Sequence, residues 1–392
     1  MYTYLNDLES KLLTPKSQLL TNIMNITKII NSEKEEKNMQ IYDMLLEKKQ
    51  ISRSDISQDT GINVVSISNY MNSFISKHLI VEKKIGESSG GRPPILLELD
   101  KRNNFFLGIF AKIRSVKFVL VDVSLSIVKE HEEKVTNAGD VYDVILDQLR
   151  TFSAEYNKGI GSACIVFENE TDHKSSGKNK LEDFIDKAKS LSGVKQIYIE
   201  KPAIAGCYAE HVLNTKSKKM IFSYKDTGEC ILMHKNCIYT WEDINFENSR
   251  YLKPWNKHMS IECFAKAIID RGIGTEILLN LKGASNVSQD AVIGAALHGD
   301  AVALEILEFA GLSLGIRIAY LINIYRPEIV VIGGGIEKAD KFFVVPLKKS
   351  VEKLASIDAL KKVSIVSSKN NSTTATCVGA AALCVREIFL GV

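Results

Sequence analysis

Residues 325–347, "YRPEIVVIGGGIEKADKFFVVPL", hold the passage on which the fold turns. Pro327 stops any helix that reaches it, because proline lacks a backbone N–H and its ring clashes with the preceding turn. "EIVVIGGGI" (328–336) then reads as a strand buried on both faces, and Gly333, Gly334 and Gly335 open a turn at its end. Just upstream, "DAVALEILEFAGLSLGIRIAYLINIY" (300–325) is one long apolar helix. A buried helix feeding a buried strand and a glycine turn belongs to the α/β class, which places its sites at the carboxyl ends of strands.

Reading outward, the same alternation recurs. "NNFFLGIFAKIRSVKFVLVDVSLSIVKEHEEKVT" (103–136) predicts three strands joined by tight turns. "GIGSACIVF" (159–167) is a strand, "KLEDFIDKAKSLSG" (180–193) a helix ending at Gly193, and "VKQIYIE" (194–200) another strand. "KKMIFSYKDTGECILMHKNCIYTW" (218–241) is a second meander, "KVSIVSS" (362–368) a last strand, and "TATCVGAAALCVREIF" (374–389) a small-residue helix. Two meanders, each followed by helix–strand alternation, predict two similar lobes facing a cleft.

The first hundred residues differ in kind. Leu19, Ile23, Ile26 and Ile30 share a helical face within 16–31, and a polar stretch, "NSEKEEKN", follows. "NMQIYDMLLEKKQ" (38–50) is amphipathic through Ile41, Met44 and Leu45. Ser52 followed three residues on by Asp55 is close to a capping box, and Gly61 supplies a turn. "NVVSISNYMNSFISKHL" (63–79) is a further helix with Val65, Ile67, Met71, Phe74 and Ile75 as its apolar positions. "LIVEKKIG", "ESSGGRPP" and "ILLELD" follow as strand, loop and strand. Three short helices and a two-stranded wing make a winged helix-turn-helix. In that motif the second helix of the pair enters the DNA major groove. Asn63, Ser66, Asn69 and Asn72 are its candidate base readers, since asparagine suits a bidentate contact to adenine. Arg53, Lys83 and Lys84 are the candidate phosphate contacts, and Arg92 in "GGRPP" is placed to enter an adjacent minor groove. The alternative use of such a module is protein contact alone.

"SSGGRPPILLELD" (88–100) and the whole of 299–347 resemble the ROK family (repressors, open reading frames and kinases). The resemblance covers roughly residues 37 to 392. It implies an α/β chain with an N-terminal winged helix-turn-helix followed by a two-lobed, actin-like sugar-kinase (ribonuclease H-like) ATPase fold. The expected divisions are 1–36 as a helical extension, 37–100 as the DNA-binding domain, 104–200 plus 375–392 as the first lobe and 201–374 as the second.

The family's catalytic positions are changed here. Its phosphate loop, G-x-D-x-G-G-T, corresponds to "GIFAKIR" (108–114), where Phe110 replaces the Asp and Lys112, Ile113 and Arg114 replace Gly-Gly-Thr. A β-branched residue does not readily adopt the backbone angles of such a loop. Its V-E-N-D-A-N-A-A motif, whose Asp is the general base, corresponds to "IEKPAIAG" (199–206), with Lys201 on the sugar-binding Asn and Pro202 on the Asp. Proline has no proton to exchange, so base catalysis at that position is excluded. The second phosphate loop retains only Gly228 in "KDTGEC". The zinc-binding cysteines correspond to Lys253, Trp255 and Ser260, and the family's final Glu to Glu262. In "DINF" Asp243 stands on the sugar-contacting Glu and Phe246 on the His. His258 beside Glu262 lacks the partners a tetrahedral metal site requires, so no metal and no cofactor is expected.

Bulk properties agree with a regulator. The chain has 392 residues, is 45% hydrophobic and 25% charged, and carries a net charge of +3, too small to name a polyanion partner by itself. Seven scattered cysteines without a C-x-x-C point to reduced thiols. No run of 18 apolar residues and no signal peptide is found, so a cytoplasmic location is expected. The resemblance implies a homodimer or a dimer of dimers on a double-stranded operator, a repressor of carbohydrate-related genes, and a small carbohydrate-related effector. Glu200, Lys201, Asp243 and Glu262 are the candidate effector-cleft residues. Two other readings remain open at this point: a sugar kinase with a DNA-binding appendage, and an adaptor whose second part docks a protein partner.

Overall fold

The computed structural model describes residues 32–84, 95–112, 114–136, 140–156, 159–168, 178–214, 217, 219–225, 229–234, 236–240, 260–281, 287–370 and 372–392. The expected helix at 16–31, Arg92 and the "GGRPP" loop, Ile113, Gly228, Asp243, Phe246, Lys253, Trp255 and His258 lie outside these residues.

The chain begins with α1 (Glu33–Lys48), β1 (Ile51–Ser52), α2 (Arg53–Thr60), α3 (Val64–Ser76), β2 (Ile80–Lys84) and β3 (Ile95–Leu99). Ser52 caps α2 through a complete capping box: its hydroxyl accepts from the Asp55 N–H, and the Asp55 carboxylate accepts from the Ser52 N–H. Gly61 ends α2 in the left-handed region at φ 71°, which a residue without Cβ adopts freely. β1 is a third strand, only two residues long and so invisible to period-two reading; it pairs antiparallel with β3, giving the order β1-β3-β2. Ile41, Tyr42, Leu45, Ile56, Ile67, Met71, Phe74 and Leu97 fill the space between helices and sheet.

Val65 departs from expectation. It is 73% exposed, whereas Ile67, Met71 and Phe74 are fully buried. Two residues of α-helix turn the chain by about 200°, so Val65 cannot share the face of Ile67. It lies instead on the same exposed side as Asn69, one turn along.

The remaining chain forms two lobes of the same design. The first has β4 (Phe105–Ala111), β5 (Ser115–Asp122), β6 (Ile127–Lys134), α4 (Val141–Glu155), β7 (Ile160–Phe167), α5 (Lys178–Ser192) and β8 (Gln196–Glu200). Its sheet runs β6-β5-β4-β7-β8, antiparallel through the meander and parallel from β4 to β8. After α6 (Pro202–Leu213), the second lobe has β9 (Lys219–Tyr224), β10 (Glu229–His234), β11 (Cys237–Tyr239), α7 (Ile261–Asp270), α8 (Gln289–Leu297), α9 (Ala301–Tyr325), β12 (Ile329–Gly333), α10 (Val344–Leu354), α11 (Ile357–Leu360) and β13 (Ser364–Ser367). Its order, β11-β10-β9-β12-β13, repeats that of the first lobe, with β9 parallel to β12 and β12 to β13. The two predicted meanders are therefore the antiparallel halves of two equivalent sheets.

α12 (Thr373–Leu390) ties the parts together. A Cβ on its Gly379 would lie 2.0 Å from the Ala205 carbonyl oxygen of α6, and one on Gly108 of β4 would lie 1.8 Å from the Cys377 carbonyl oxygen. Both glycines are required because the backbones touch there. At the other end of α12 the Phe389 ring packs against Tyr42 of α1 at 4.3 Å and Phe74 of α3 at 5.1 Å. Asn38 donates to the Phe389 carbonyl at 3.0 Å, and Lys77 to that of Gly391 at 3.0 Å. Among the described residues, α12 is the one helix long and apolar enough to cross a membrane, and 72% of that span is buried in the core between lobes and N-terminal unit.

Candidate nucleic-acid interface and interlobe cleft

α3 presents a solvent face that carries no charge. Asn63 caps it, its Oδ1 accepting from the Ser66 N–H at 2.8 Å, so its side chain already has a structural task. Asn69 and Asn72 are exposed, while Ser66 is half-buried on the flank toward Tyr70 and Ser73. The exposed face joins Val65, Asn69 and Asn72 with Val64, which is 51% exposed. The two valines escape sequence reading because β-branched residues in an amphipathic pattern are assigned to the core.

Two of the candidate phosphate contacts are engaged within the protein. Arg53, at the start of α2, pairs with Glu82 of β2. Lys83 reaches Glu98 of β3 at 2.7 Å. Burial raises the Glu98 carboxyl, but hydrogen bonds from Lys83 and Gln50 outweigh it and hold the group below its ordinary range. Lys84 is the last residue of β2. Asn72 also lines a shallow groove with His78, Glu82, Asp100 and Arg102, between the end of α3 and the sheet.

The cleft side is built from strand ends. β8 delivers Glu200, 5% exposed, whose carboxylate accepts from the Lys201 N–H at 2.8 Å. Lys201 is the N-cap of α6, and buried Pro202 is its first residue, the helical position where a missing N–H does no harm. At the β4–β5 hairpin the Lys112 N–H donates to the Ser115 carbonyl at 2.9 Å, and Lys112 Nζ lies 5.4 Å from the ring centre of buried Phe110. Exposed Arg114 gives its carbonyl to the Val135 N–H at 2.9 Å.

In the second lobe the β9 turn locks onto the glycine turn after β12. The Lys225 N–H donates to the Gly333 carbonyl at 2.9 Å, and a Cβ on Gly334 would come within 2.5 Å of the Lys225 nitrogen. Glu262, in the first turn of α7, accepts from the Gln289 N–H at 3.1 Å, and Gln289 in turn donates to the Gly334 carbonyl at 3.3 Å. Ser260 is the N-cap of α7, accepting from the Cys263 N–H at 3.2 Å. Burial pushes the Tyr224 phenol up, and the carboxylates of Glu168, Glu229 and Glu337 push it further. Glu168 follows β7 of the first lobe and Glu337 follows β12 of the second, so both lobes contribute negative charge at these strand ends.

Residues 260–387, from the cap of α7 to the last turns of α12, match the ROK family. A putative xylose repressor of Caldicellulosiruptor sp. (strain Rt8B.4) is 25% identical over 363 residues, covering 84% of this chain and 90% of that protein. A ROK family transcriptional regulator described as a homolog of the E. coli MLC protein superposes with a TM-score of 0.65 at 17% identity, covering 91% of this chain and 96% of that one. A ROK family glucokinase from Streptomyces griseus, in complex with glucose and AMPPNP, superposes with a TM-score of 0.52 at 16% identity, over 71% of this chain and 98% of its own. The regulator thus extends over the N-terminal unit, and the glucokinase matches a smaller share of the chain.

The carboxylates of Glu200 and Glu262 are engaged within the protein. Glu200 is tied to the next backbone amide and Glu262 to the start of α8. Sequence reasoning named these two but missed the hub that joins the lobes to the N-terminal unit. Asn236, in the β10–β11 turn at φ 66°, donates to the Asp43 carboxylate of α1 at 2.7 Å and lies 2.9 Å from His211 Nε2 of α6. Fully buried Arg386 of α12 donates to the Asn236 carbonyl at 3.3 and 3.2 Å and to Glu387 at 2.8 Å. Asn236 stands in a turn of low periodicity, so nothing in the local pattern singles it out.

Proposed function

We propose that this chain is a DNA-binding transcriptional regulator, a repressor of carbohydrate-related genes, whose ROK domain no longer phosphorylates sugar. The observation that carries the reading is Pro202 at the start of α6: the cleft keeps its strand-to-helix frame, and the residue where a base must sit cannot take a proton. The Lys112 amide closes a hairpin instead of facing a phosphate, and the carboxylates around Tyr224 disfavour a polyanion.

Residues 37–100 are the winged helix-turn-helix, with α3 in the major groove and the β2–β3 loop as the wing. Asn69 and Asn72 read bases; Arg53, Lys83, Lys84 and Arg92 meet phosphate or the minor groove; Asn63 and Ser66 hold the helix start. Residues 104–200 with 375–392, and 201–374, are the two lobes. Glu200, Lys201, Asp243 and Glu262 line the effector cleft, and the relative named a xylose repressor supports a sugar-derived effector. The protein acts in the cytoplasm, as an oligomer on a two-fold operator.

The test is binding of the purified chain to fragments from upstream of its own gene and of neighbouring carbohydrate genes, against random DNA, at two salt concentrations. A specific fragment bound about 1,000-fold or more above random sequence is expected. Equal affinity for all fragments, or ATP-dependent turnover of any pentose, hexose or N-acetylhexosamine, contradicts the reading.

A further inference from the structure

The positive charge of this chain is unevenly placed. Residues 341–369 hold seven lysines against two carboxylates, Glu352 and Asp358, an excess larger than the net +3 of the whole chain, so the remainder is net negative. Five of these lysines follow one outer edge of the second lobe. α10 turns Leu347 and Val351 into the core and packs on α9 at Gly311 and Gly315, where a Cβ would come within 2.4 Å of the Phe343 and Leu347 carbonyl oxygens. Half-buried Lys348 and exposed Lys349 and Lys353 are left on the solvent side, within two turns of one another. The foot of α10 is pinned to the end of α9: the Ser356 N–H donates to Asn323 Oδ1 at 2.8 Å, and Arg326 Nη1 donates to the Ser356 hydroxyl at 3.1 Å. β13 starts at the same end, the Ser364 N–H donating to the Glu328 carbonyl at 3.1 Å. Exposed Arg326, Lys361 and Lys362 therefore continue the row that α10 begins.

The row is unneutralised. Among the described residues none of the five lysines forms an ion pair, whereas Lys37, Lys48, Lys83, Lys117 and Lys129 each face a carboxylate. A single-sign row of this kind is the electrostatic footprint of a polyanion. The lysine ammonium is a compact point charge, suited to phosphate oxygens, and contacts to phosphate position a duplex without reading its sequence. A bilayer fits less well, because the apolar side of α10 is spent on α9 and only Val345 and Leu354 of its large apolar residues are exposed. The N-terminal unit has a matching shortage. The solvent face of α3 is uncharged, and Arg53 and Lys83 are committed to Glu82 and Glu98. A duplex held on α3 alone meets little of the positive charge from which sequence-independent affinity arises.

We propose that the lysine row along α10 and the start of β13 is a second DNA contact, which holds the phosphate backbone of a duplex irrespective of sequence. The choice of DNA as the polyanion rests on the regulator reading given above; the surface itself does not involve α3. The test is fluorescence anisotropy of the full chain with a random-sequence duplex of roughly 40 base pairs, titrated between about 50 and 200 mM salt. Lys349→Glu/Lys353→Glu/Lys362→Glu is expected to weaken binding about 10-fold or more. It should also lower the slope of log affinity against log salt by about 2.7, which is about 0.9 for each phosphate contact removed. The same three positions changed to Gln should lose the same slope with a smaller loss of affinity, and they keep the proposal testable should the Glu variant fail to fold. Asn69→Ala/Asn72→Ala should lose preference for a specific fragment and keep the random-duplex binding, which separates the two surfaces. Lysine variants that match the wild type in affinity and slope overturn the proposal and leave the role of α3 standing. A chain without any preferred fragment, whose random-duplex binding still falls in the lysine variants, overturns the role of α3 and supports the proposal. A wild type that binds phosphatidylserine vesicles and no duplex overturns it in favour of a membrane surface.

Discussion

Removing the Asn236 side chain separates the N-terminal unit from the lobes at a single point, and the size of the effect follows from its partners. Asn236 donates to the Asp43 carboxylate at 2.7 Å, and its oxygen faces His211 Nε2 at 2.9 Å. Because the amide nitrogen is committed to Asp43, the oxygen accepts, and His211 holds its proton on Nε2. A hydrogen bond to a charged group contributes about 1.5–3 kcal/mol and a neutral one about 1 kcal/mol. Asn236 also sits at φ 66°, where alanine is less favoured than asparagine by about 1 kcal/mol. Water reaching the half-buried carboxylate returns part of this, so Asn236→Ala is expected to destabilise by about 3 kcal/mol. Asn236→Gly, free of the backbone penalty, should be about 1 kcal/mol milder. The assay is native-state hydrogen exchange of the α1 amides, which reports release of the N-terminal unit without assuming that the whole chain unfolds in one step. In a double-mutant cycle with Asp43→Ala, the coupling should be about 1–2 kcal/mol. Additivity within about 0.5 kcal/mol would refute the claim that Asn236 holds α1 through Asp43.

Three further outcomes are expected. Gly379→Ala forces a methyl onto the Ala205 carbonyl across the α6–α12 crossing and should destabilise by about 3 kcal/mol or prevent folding, read by urea denaturation; a change below about 0.5 kcal/mol would mean that the helices separate freely. Val65→Ala should weaken operator binding several-fold, by about 1 kcal/mol, and the loss should vanish when the contacted thymine is replaced by uracil, because the valine has then no methyl to meet; equal losses on both DNAs sink the idea. Burial lowers the His211 pKa from 6.5, so the folded protein disfavours its protonation. The unfolded chain binds the extra proton as pH falls below about 6.5, and stability present at pH 7.5 is lost toward pH 5. His211→Gln should flatten that part of the pH profile, and an unchanged profile would show that the titration lies elsewhere.

The lobes were legible in sequence because their strands are long apolar runs punctuated by glycine and proline. "EIVVIGGGI" could hardly be anything else. The helices α7, α8 and α10 were passed over because 9 to 11 residues carry only two or three turns of pattern; α4 was passed over as well, although at 15 residues it is as long as α5. β1 was out of reach for the same reason of length. The capping box at Ser52 was readable because capping is a local event between residues three apart, whereas Asn236 and Arg386 are 150 residues apart in sequence and meet only in the folded chain. Val65 was misassigned because composition does not tell which side of a helix faces the core when the apolar positions outnumber one face. Glu200 and Glu262 were singled out through family motifs, and their hydrogen bonds to the starts of α6 and α8 emerge only from the structure.

The placement of α12 explains why Gly108 and Gly379 are glycines. Gly379 and Gly108 let α12 touch α6 and β4 at backbone distance, so its first half cannot shift unless the elements around the cleft shift too. Phe389, ten residues on, is wedged between α1 and α3. Ten residues of helix are about 15 Å, so tilting α12 by about 10° at Gly379 carries Phe389 by roughly 3 Å. That is comparable to the spacing of adjacent base pairs. The Arg386 bonds to the Asn236 carbonyl resist such a tilt, because they bind the moving half of α12 to a hairpin of the second lobe. One helix, α12, thus touches both β4 of the first lobe and the helices of the N-terminal unit.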